Sequence, residues 1–157
     1  MTLAVTEPPT ATGHLGLAIG DVPSFFNVEA RRHGAPERLM LQDGTCERGQ
    51  RTVCTYTLSE SVGVLISTDR DGASVTEFSV MFVGKDRDGF QDAVTTFAIA
   101  MALFDPRVTE DDRSHLVQRL LDGAAERDEF AVDGKAVRYK LLKTRALGLH
   151  LVIEPRA

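Results

Sequence analysis

Hydrophobic and polar residues alternate through the middle of the chain, from Arg51 to Val83. Side chains two positions apart share one face of a strand, so this alternation predicts β-strands with one buried face. Polar stretches at residues 59–61 and 69–72 interrupt the alternation and predict turns. The pattern therefore predicts a three-stranded antiparallel meander. Its apolar rows are Cys54, Tyr56 and Leu58, then Val62, Val64 and Ile66, then Phe78, Val80 and Phe82.

Three other stretches show the three- and four-residue spacing of amphipathic helices. The first is predicted at residues 21–33, where the following glycine ends it. The second is predicted from Asp88, as the N-cap, to the Asp-Pro pair that starts at residue 105. Thr96 is predicted on its exposed side. The third opens at Thr109, which with the acid three residues later resembles a capping box.

Strand periodicity reappears on both sides of these helices. It predicts a first strand at residues 38–42 and, near the C-terminus, strands at 130–132, 136–143 and 149–153. Asp133-Gly134 is a two-residue hairpin signal. The order of helix, strands, two helices and strands predicts an α+β fold. We expect an antiparallel sheet of about six to seven strands, with two to three helices packed on one face.

Size and charge limit the partners. The 157 residues suit one domain, predicted at residues 21–157 after a flexible lead at residues 1–20 that contains two adjacent prolines. The net charge of −5 argues against a nucleic-acid partner, because binding to phosphates requires a basic surface. Apolar runs are too short for a membrane span, and no signal peptide is recognisable at the start.

Cys46 and Cys54 are the most informative pair of residues for the compartment. If the chain turns at residues 48–50, the two cysteines lie opposite each other across a hairpin and are close enough for a disulfide. The alternative is two reduced, partly buried thiols. A disulfide predicts a periplasmic or secreted protein, and free thiols predict a cytoplasmic one.

The spacing of reactive side chains predicts no catalytic, cofactor or metal site. The four histidines lie far apart in sequence, and each is expected to have a structural or surface role. The near-identical tetrapeptides at residues 69–72 and 86–89 invite a calcium hypothesis. They lack the spacing of an EF-hand loop and are expected to be ordinary turns.

The favoured function is therefore a non-enzymatic domain that binds another protein as an inhibitor, an immunity-type protein or an adaptor. The basic C-terminal hairpin is predicted to steer a charged partner or to form internal ion pairs on a solvated face. A homodimer also fits. The candidate partner-binding residues are the outward-facing Thr55, Thr57, Ser67, Arg138 and Lys140.

Two alternatives belong to other classes. In length, acidity and α+β character the chain is similar to small type III secretion chaperones, which implies a cytoplasmic, bacterial chaperone of an exported protein. Those chaperones usually end in a helix, whereas this chain ends in strands. The second alternative is an enzyme whose site is assembled from distant residues, such as Tyr56, Tyr139 and His150.

Overall fold

The computed structural model describes residues 13–145 and 148–156. Within these ranges the chain forms three α-helices and seven β-strands. The helices are α1 (Val22–Arg32), α2 (Arg87–Phe104) and α3 (Glu110–Glu126). The strands are β1 (Thr45–Arg48), β2 (Thr52–Thr57), β3 (Val62–Thr68), β4 (Val75–Phe82), β5 (Glu129–Asp133), β6 (Val137–Thr144) and β7 (Gly148–Pro155).

All seven strands belong to one antiparallel sheet with the order β1-β2-β3-β4-β7-β6-β5. The first four strands form a meander, and its last three, β2, β3 and β4, are the three-stranded meander that the alternation predicted. The last three form a second meander that returns so that β7 pairs with β4, with Val80 opposite Leu151. The predicted α+β class is confirmed.

The helices lie on one face of the sheet and leave the other face uncovered by any described helix. The central helix α2 contacts β3 and β4, and α3 contacts β5 and β6, while α1 packs beside α2. Alternate strand residues point into this layer and are buried. The largest fully buried side chains are Tyr139, Phe26, Phe78, Phe97, Leu39, Ile66, Ile99, Met101, Leu120, Leu141, Leu151 and Ile153.

The strand predicted at residues 38–42 does not form. A 3₁₀ turn occupies Glu37–Leu39. The main chain is extended after it, but its hydrogen bonds go to a side chain and not to a neighbouring strand. The amide of Asn27 on α1 donates to the carbonyl oxygen of Leu41, and its oxygen accepts the Leu41 N–H. Leu39, Met40 and Leu41 are all buried, and such a short apolar run resembles a buried strand in sequence.

Two details of α2 differ from the sequence prediction. The N-cap is Asp86, whose carboxylate accepts the N–H of Gly89, and not Asp88. Thr96 is fully buried, not exposed. Because α2 contacts the sheet on one side and α1 and α3 on its flanks, it buries a wider face than a surface helix does.

The β5–β6 hairpin forms where it was predicted, but its loop is displaced. Asp133 pairs with Arg138, and Gly134 N–H donates to Val137 O, so the two loop residues are Lys135 and Ala136. The expected Asp-Gly turn is not used because a buried carboxylate, described below, binds the two loop amides.

The N-terminal residues that the structure describes pack against the sheet. Leu15 is buried; its N–H donates to Val75 O, and Val75 N–H donates to Leu17 O. Residues 15–17 thus lie beside the first residue of β4. Residues 1–12 of the predicted lead lie outside the described residues, and the domain boundary at residue 20 stays a prediction.

Candidate functional site

The helix-free side of the sheet, here called the open face, is the candidate site. Successive side chains of a strand point to opposite sides of the sheet, so every second residue of each strand lies on the open face. On neighbouring strands these residues are directly opposed, and they form three rows across the sheet. Its members on the described strands include Thr45, Glu47, Val53, Thr55, Thr57, Leu65, Ser67, Glu77, Ser79, Met81, Glu129, Ala131, Asp133, Arg138, Lys140, Leu142, His150, Val152 and Glu154.

All five residues that the sequence analysis selected for partner binding lie on the open face. Thr55 and Thr57 are exposed on β2, and Ser67 is half-buried on β3. Arg138 and Lys140 lie on β6, on the other side of β4 and β7. Residues from two separate hairpins therefore share one surface, although whether they bind a partner stays a prediction.

The centre of the open face is more shielded than its rim. Ser79 and Val152 lie opposite each other on β4 and β7, and only 3% of each remains exposed. Neighbouring side chains supply this shielding. Lys140, which is opposite Val152, reaches Glu154 with a Nζ–Oε1 distance of 3.1 Å. Leu65, opposite Ser79, adds a half-buried apolar group.

His150 carries the least satisfied polar atom of the open face. It lies between Met81 on β4 and Leu142 on β6. Its ring nitrogen Nε2 is enclosed and has no hydrogen-bond partner among the described residues. Buried polar atoms in folded proteins nearly always have a partner, so this nitrogen would gain a hydrogen bond if neighbouring side chains moved aside for water or a second molecule.

The basic residues of the C-terminal hairpin are partly neutralised by ion pairs. Glu154 on β7 accepts Lys140 through one oxygen, while Arg138 Nε lies 3.9 Å from the other. The basic residues of the hairpin therefore form ion pairs within the chain, which is one of the two alternatives that the sequence analysis left open. Charge reversal at Arg138 or Lys140 would thus disturb this network and any partner at once.

The disulfide hypothesis is supported by the geometry. Cys46 on β1 and Cys54 on β2 are directly opposed, with Cα atoms 4.0 Å apart, and their sulfurs are bonded. Cys46 is exposed, whereas Cys54 is buried in the core. The bond therefore ties the short edge strand β1 to the sheet.

One buried polar cluster was missed at the sequence level. Asp105, which follows α2, is fully buried and accepts the N–H groups of Lys135 and Ala136 and the hydroxyl of Tyr139, the last at 2.7 Å. Two effects strongly raise the pKa of Tyr139: burial is the larger, and the hydrogen bond to Asp105 is the second. Three donors occupy the carboxylate inside the core, so the arrangement is structural.

Two open grooves lie near α2. The first, of about 560 Å³, is lined by Arg38, residues 59–61 and the start of α2, and Arg38 pairs there with Asp92. The second, of about 550 Å³, runs between α2 and α3 over partly buried apolar side chains such as Val94. Both are open to solvent, and neither encloses the buried Asp105–Tyr139 pair.

The structure does not bring together the residues of the enzyme alternative. Tyr56 and Tyr139 point into the helix layer, from strands that β3, β4 and β7 separate. His150 lies on the open face, on the opposite side of the sheet. These three side chains therefore cannot line one pocket.

Comparison with known proteins adds no relative. None of the protein-family models, curated proteins or solved structures matches this chain. In the described part of the chain, no helix combines the length and the apolar character that a membrane crossing requires. The function of the chain must therefore be argued from its own surfaces.

Proposed function

We propose that this chain is a non-enzymatic protein-binding domain, and that it acts by covering a surface of another protein with the open face of its sheet. The observation that carries the proposal is the enclosed, unpartnered Nε2 of His150, beside the shielded centre of that face. A partner whose binding moves the covering side chains and supplies a hydrogen-bonding group there would satisfy this nitrogen.

The dimensions of the open face favour a protein over a small ligand. Strands are about 4.8 Å apart and rise about 3.3 Å per residue, so the face is about 29 Å wide and up to about 26 Å long. The area of such a face is comparable with the roughly 800 Å² of surface that each partner contributes to a typical stable interface. A small molecule would need a concave pocket, whereas a sheet face offers a broad surface.

The distribution of polarity on this face also fits an interface. Half-buried apolar groups such as Leu65, Met81 and Leu142 lie near Val152, and hydroxyl and charged residues surround them. Interfaces commonly have an apolar centre and a polar rim. The bonded cysteines favour an inhibitor or immunity-type protein of an oxidising compartment, because the chaperone alternative expects free thiols.

The test is a capture experiment with matched variants as bait. Tagged wild-type chain, Leu65→Glu and Phe25→Glu are incubated with periplasmic and cytosolic extracts of the source organism, and captured proteins are quantified by mass spectrometry. Leu65 lies on the open face, and Phe25, half-exposed on α1, lies on the helix side. A stoichiometric partner retained by wild type and Phe25→Glu but lost from Leu65→Glu is the expected result.

Thr55→Arg is a second variant that keeps the experiment informative if Leu65→Glu folds poorly, since the Thr55 side chain is exposed. The proposal is overturned if no stoichiometric protein is captured, or if both open-face variants capture it as well as wild type does. Light scattering decides a further outcome. A wild-type dimer that either open-face variant disrupts would make a second copy the occupant and refute binding of another protein.

A further inference from the structure

A second site lies at the β3–β4 turn, away from the centre of the open face. His14, Asp69 and Asp71 each offer one ligand atom, and these atoms all lie within 4.8 Å of one another. His14 Nε2 is 2.8 Å from Asp69 Oδ2. The two aspartates come from the tetrapeptide that was expected to be an ordinary turn, and the histidine comes from a segment 55 residues earlier.

Main-chain hydrogen bonds hold both segments in place. On the histidine side, Leu15 N–H donates to Val75 O at 2.8 Å, directly after His14. On the turn side, Asp71 N–H donates to Asp69 Oδ1 at 2.8 Å, and Gly72 N–H donates to Asp69 O. The ligand atoms are therefore positioned by the fold, which reduces the ordering that binding would require.

Both carboxylates are held in their ionised form. Hydrogen bonds lower the pKa of Asp71 to about 2. The largest effect comes from the Ser74 hydroxyl, and the N–H groups of Ala73 and Ser74 add to it. The N–H of Asp71, followed by the His14 ring, lowers the pKa of Asp69. Two adjacent carboxylates would ordinarily oppose each other's ionisation, but here donated hydrogen bonds outweigh that repulsion. The same hydrogen bonds, from the main chain, Ser74 and His14, fix the orientation of both carboxylates.

We propose that His14, Asp69 and Asp71 bind a divalent first-row transition metal ion of the Zn²⁺ type. One imidazole nitrogen and two carboxylate oxygens are ligands that Zn²⁺ accepts, and water would complete the coordination. Calcium fits less well, because it takes six to eight oxygen ligands and no nitrogen is among its usual donors. On binding, His14 would coordinate through the Nε2 lone pair with its one ring proton on Nδ1, so the bonds to the metal would replace the contact between Nε2 and Asp69 Oδ2.

The bound ion would join the N-terminal segment to the β3–β4 turn. His14 and Asp69 are half-buried and Asp71 is exposed, so an ion can enter from solvent. The inference is independent of the open-face proposal, since the disulfide and His150 play no part in it.

The experiment is calorimetric titration of Zn²⁺ into metal-stripped, oxidised chain that carries no histidine tag. We expect one equivalent to bind. His14→Ala and Asp69→Asn are expected to weaken binding at least about tenfold, the size of effect that even supporting groups have at metal sites. His115→Ala is the matched control, because His115 lies exposed on α3, and its removal should leave the affinity unchanged.

Thermal unfolding supplies a readout that does not depend on the heat of binding. Saturating Zn²⁺ should raise the Tm of wild type and His115→Ala but not that of His14→Ala, because a ligand stabilises only the state it binds. The metal-free Tm of each variant verifies that it folds. Absence of one-to-one binding, equal affinity in His14→Ala, or tighter binding of Ca²⁺ than of Zn²⁺ would each overturn the proposal.

Discussion

Asp105 shows how much one side chain decides in this protein. Its carboxylate binds two loop amides and a tyrosine hydroxyl in the core, and it thereby joins the end of α2 to the β5–β6 hairpin. The sequence marked this residue only as the end of a helix before Pro106. A local pattern cannot show that residues 105 and 135 meet, because their contact depends on how two helices pack.

The first prediction concerns Gly134. A Cβ at this position would overlap Asp105 Oδ2 and lie 2.6 Å from Tyr139 Cε2. Gly134→Ala should therefore lower the free energy of unfolding by about 1–3 kcal/mol, the usual cost of overpacking. Urea unfolding measures it. Gly20→Ala is the control, since an added Cβ there meets nothing within 4 Å; equal urea midpoints for the two variants would contradict the argument.

The second prediction is a loss of stability at high pH. The pKa of Tyr139 is raised in the folded chain, so folding favours the neutral phenol. This contribution is complete below the unfolded value of about 10 and then falls by about 1.4 kcal/mol per pH unit. Urea unfolding between pH 8 and pH 11 measures the slope. Tyr139→Phe should reduce the alkaline slope while Tyr56 remains in both proteins, and an unchanged slope would refute the prediction.

At the scale of elements, periodicity located most helices and strands because each depends on residues a few positions apart. It placed α1, α3, the meander strands and β7 close to their observed bounds. It failed at residues 38–42, where the Asn27 side chain occupies the main-chain groups of Leu41. It also misplaced the cap of α2, because two aspartates two residues apart are equally good candidates in sequence.

The two aspartates before α2 provide the third prediction. Asp86→Ala removes the acceptor of the Gly89 N–H and should destabilise the protein by about 0.5–2 kcal/mol. Asp88→Ala removes only a charge in the first turn and should cost about 0.3–1 kcal/mol. The measurement is the difference in free energy of unfolding between these two variants, which carry the same Asp-to-Ala substitution. A larger destabilisation by Asp88→Ala than by Asp86→Ala would indicate that Asp88 is the N-cap, as the sequence predicted.

The fourth prediction concerns the attachment of β1. The Cys46–Cys54 bond closes a loop of eight residues' separation, so its loss should lower the free energy of unfolding by about 2–3 kcal/mol. Cys46→Ala is the variant of choice, because Cys46 is exposed and Cys54 keeps its place in the core. Urea unfolding with and without reductant gives the control. Reductant should shift wild type to the stability of Cys46→Ala and leave the variant unchanged.

At the scale of the whole molecule, the open face is the surface that the packing leaves uncovered. Helix α2 packs on the first meander and α3 on the second, both on one side of the sheet, so the other side of all seven strands remains free of described helices. The outward rows were predictable from alternation. That Thr55 and Lys140 would share one continuous face was not, because this depends on the pairing of β4 with β7.

The fifth prediction separates stability from binding on this face. His150→Leu removes an enclosed nitrogen that lacks a hydrogen-bond partner, so the isolated chain should be equally stable or more stable in urea. The same variant should weaken capture of the partner described above. A marked loss of stability would mean that the nitrogen is satisfied within the isolated protein, and it would remove the main support for the binding face.

The sequence by itself determined most of the local structure: which stretches form the three helices and most of the strands, and which side chains alternate. These features follow from periods of two and 3.6 residues and from short turns, which are properties of neighbouring residues. Only the tertiary structure decided that β7 completes the sheet beside β4, that Asp105 meets the hairpin loop, and that His14 reaches Asp69. Such contacts join residues 30 to 75 positions apart, and no periodicity encodes them.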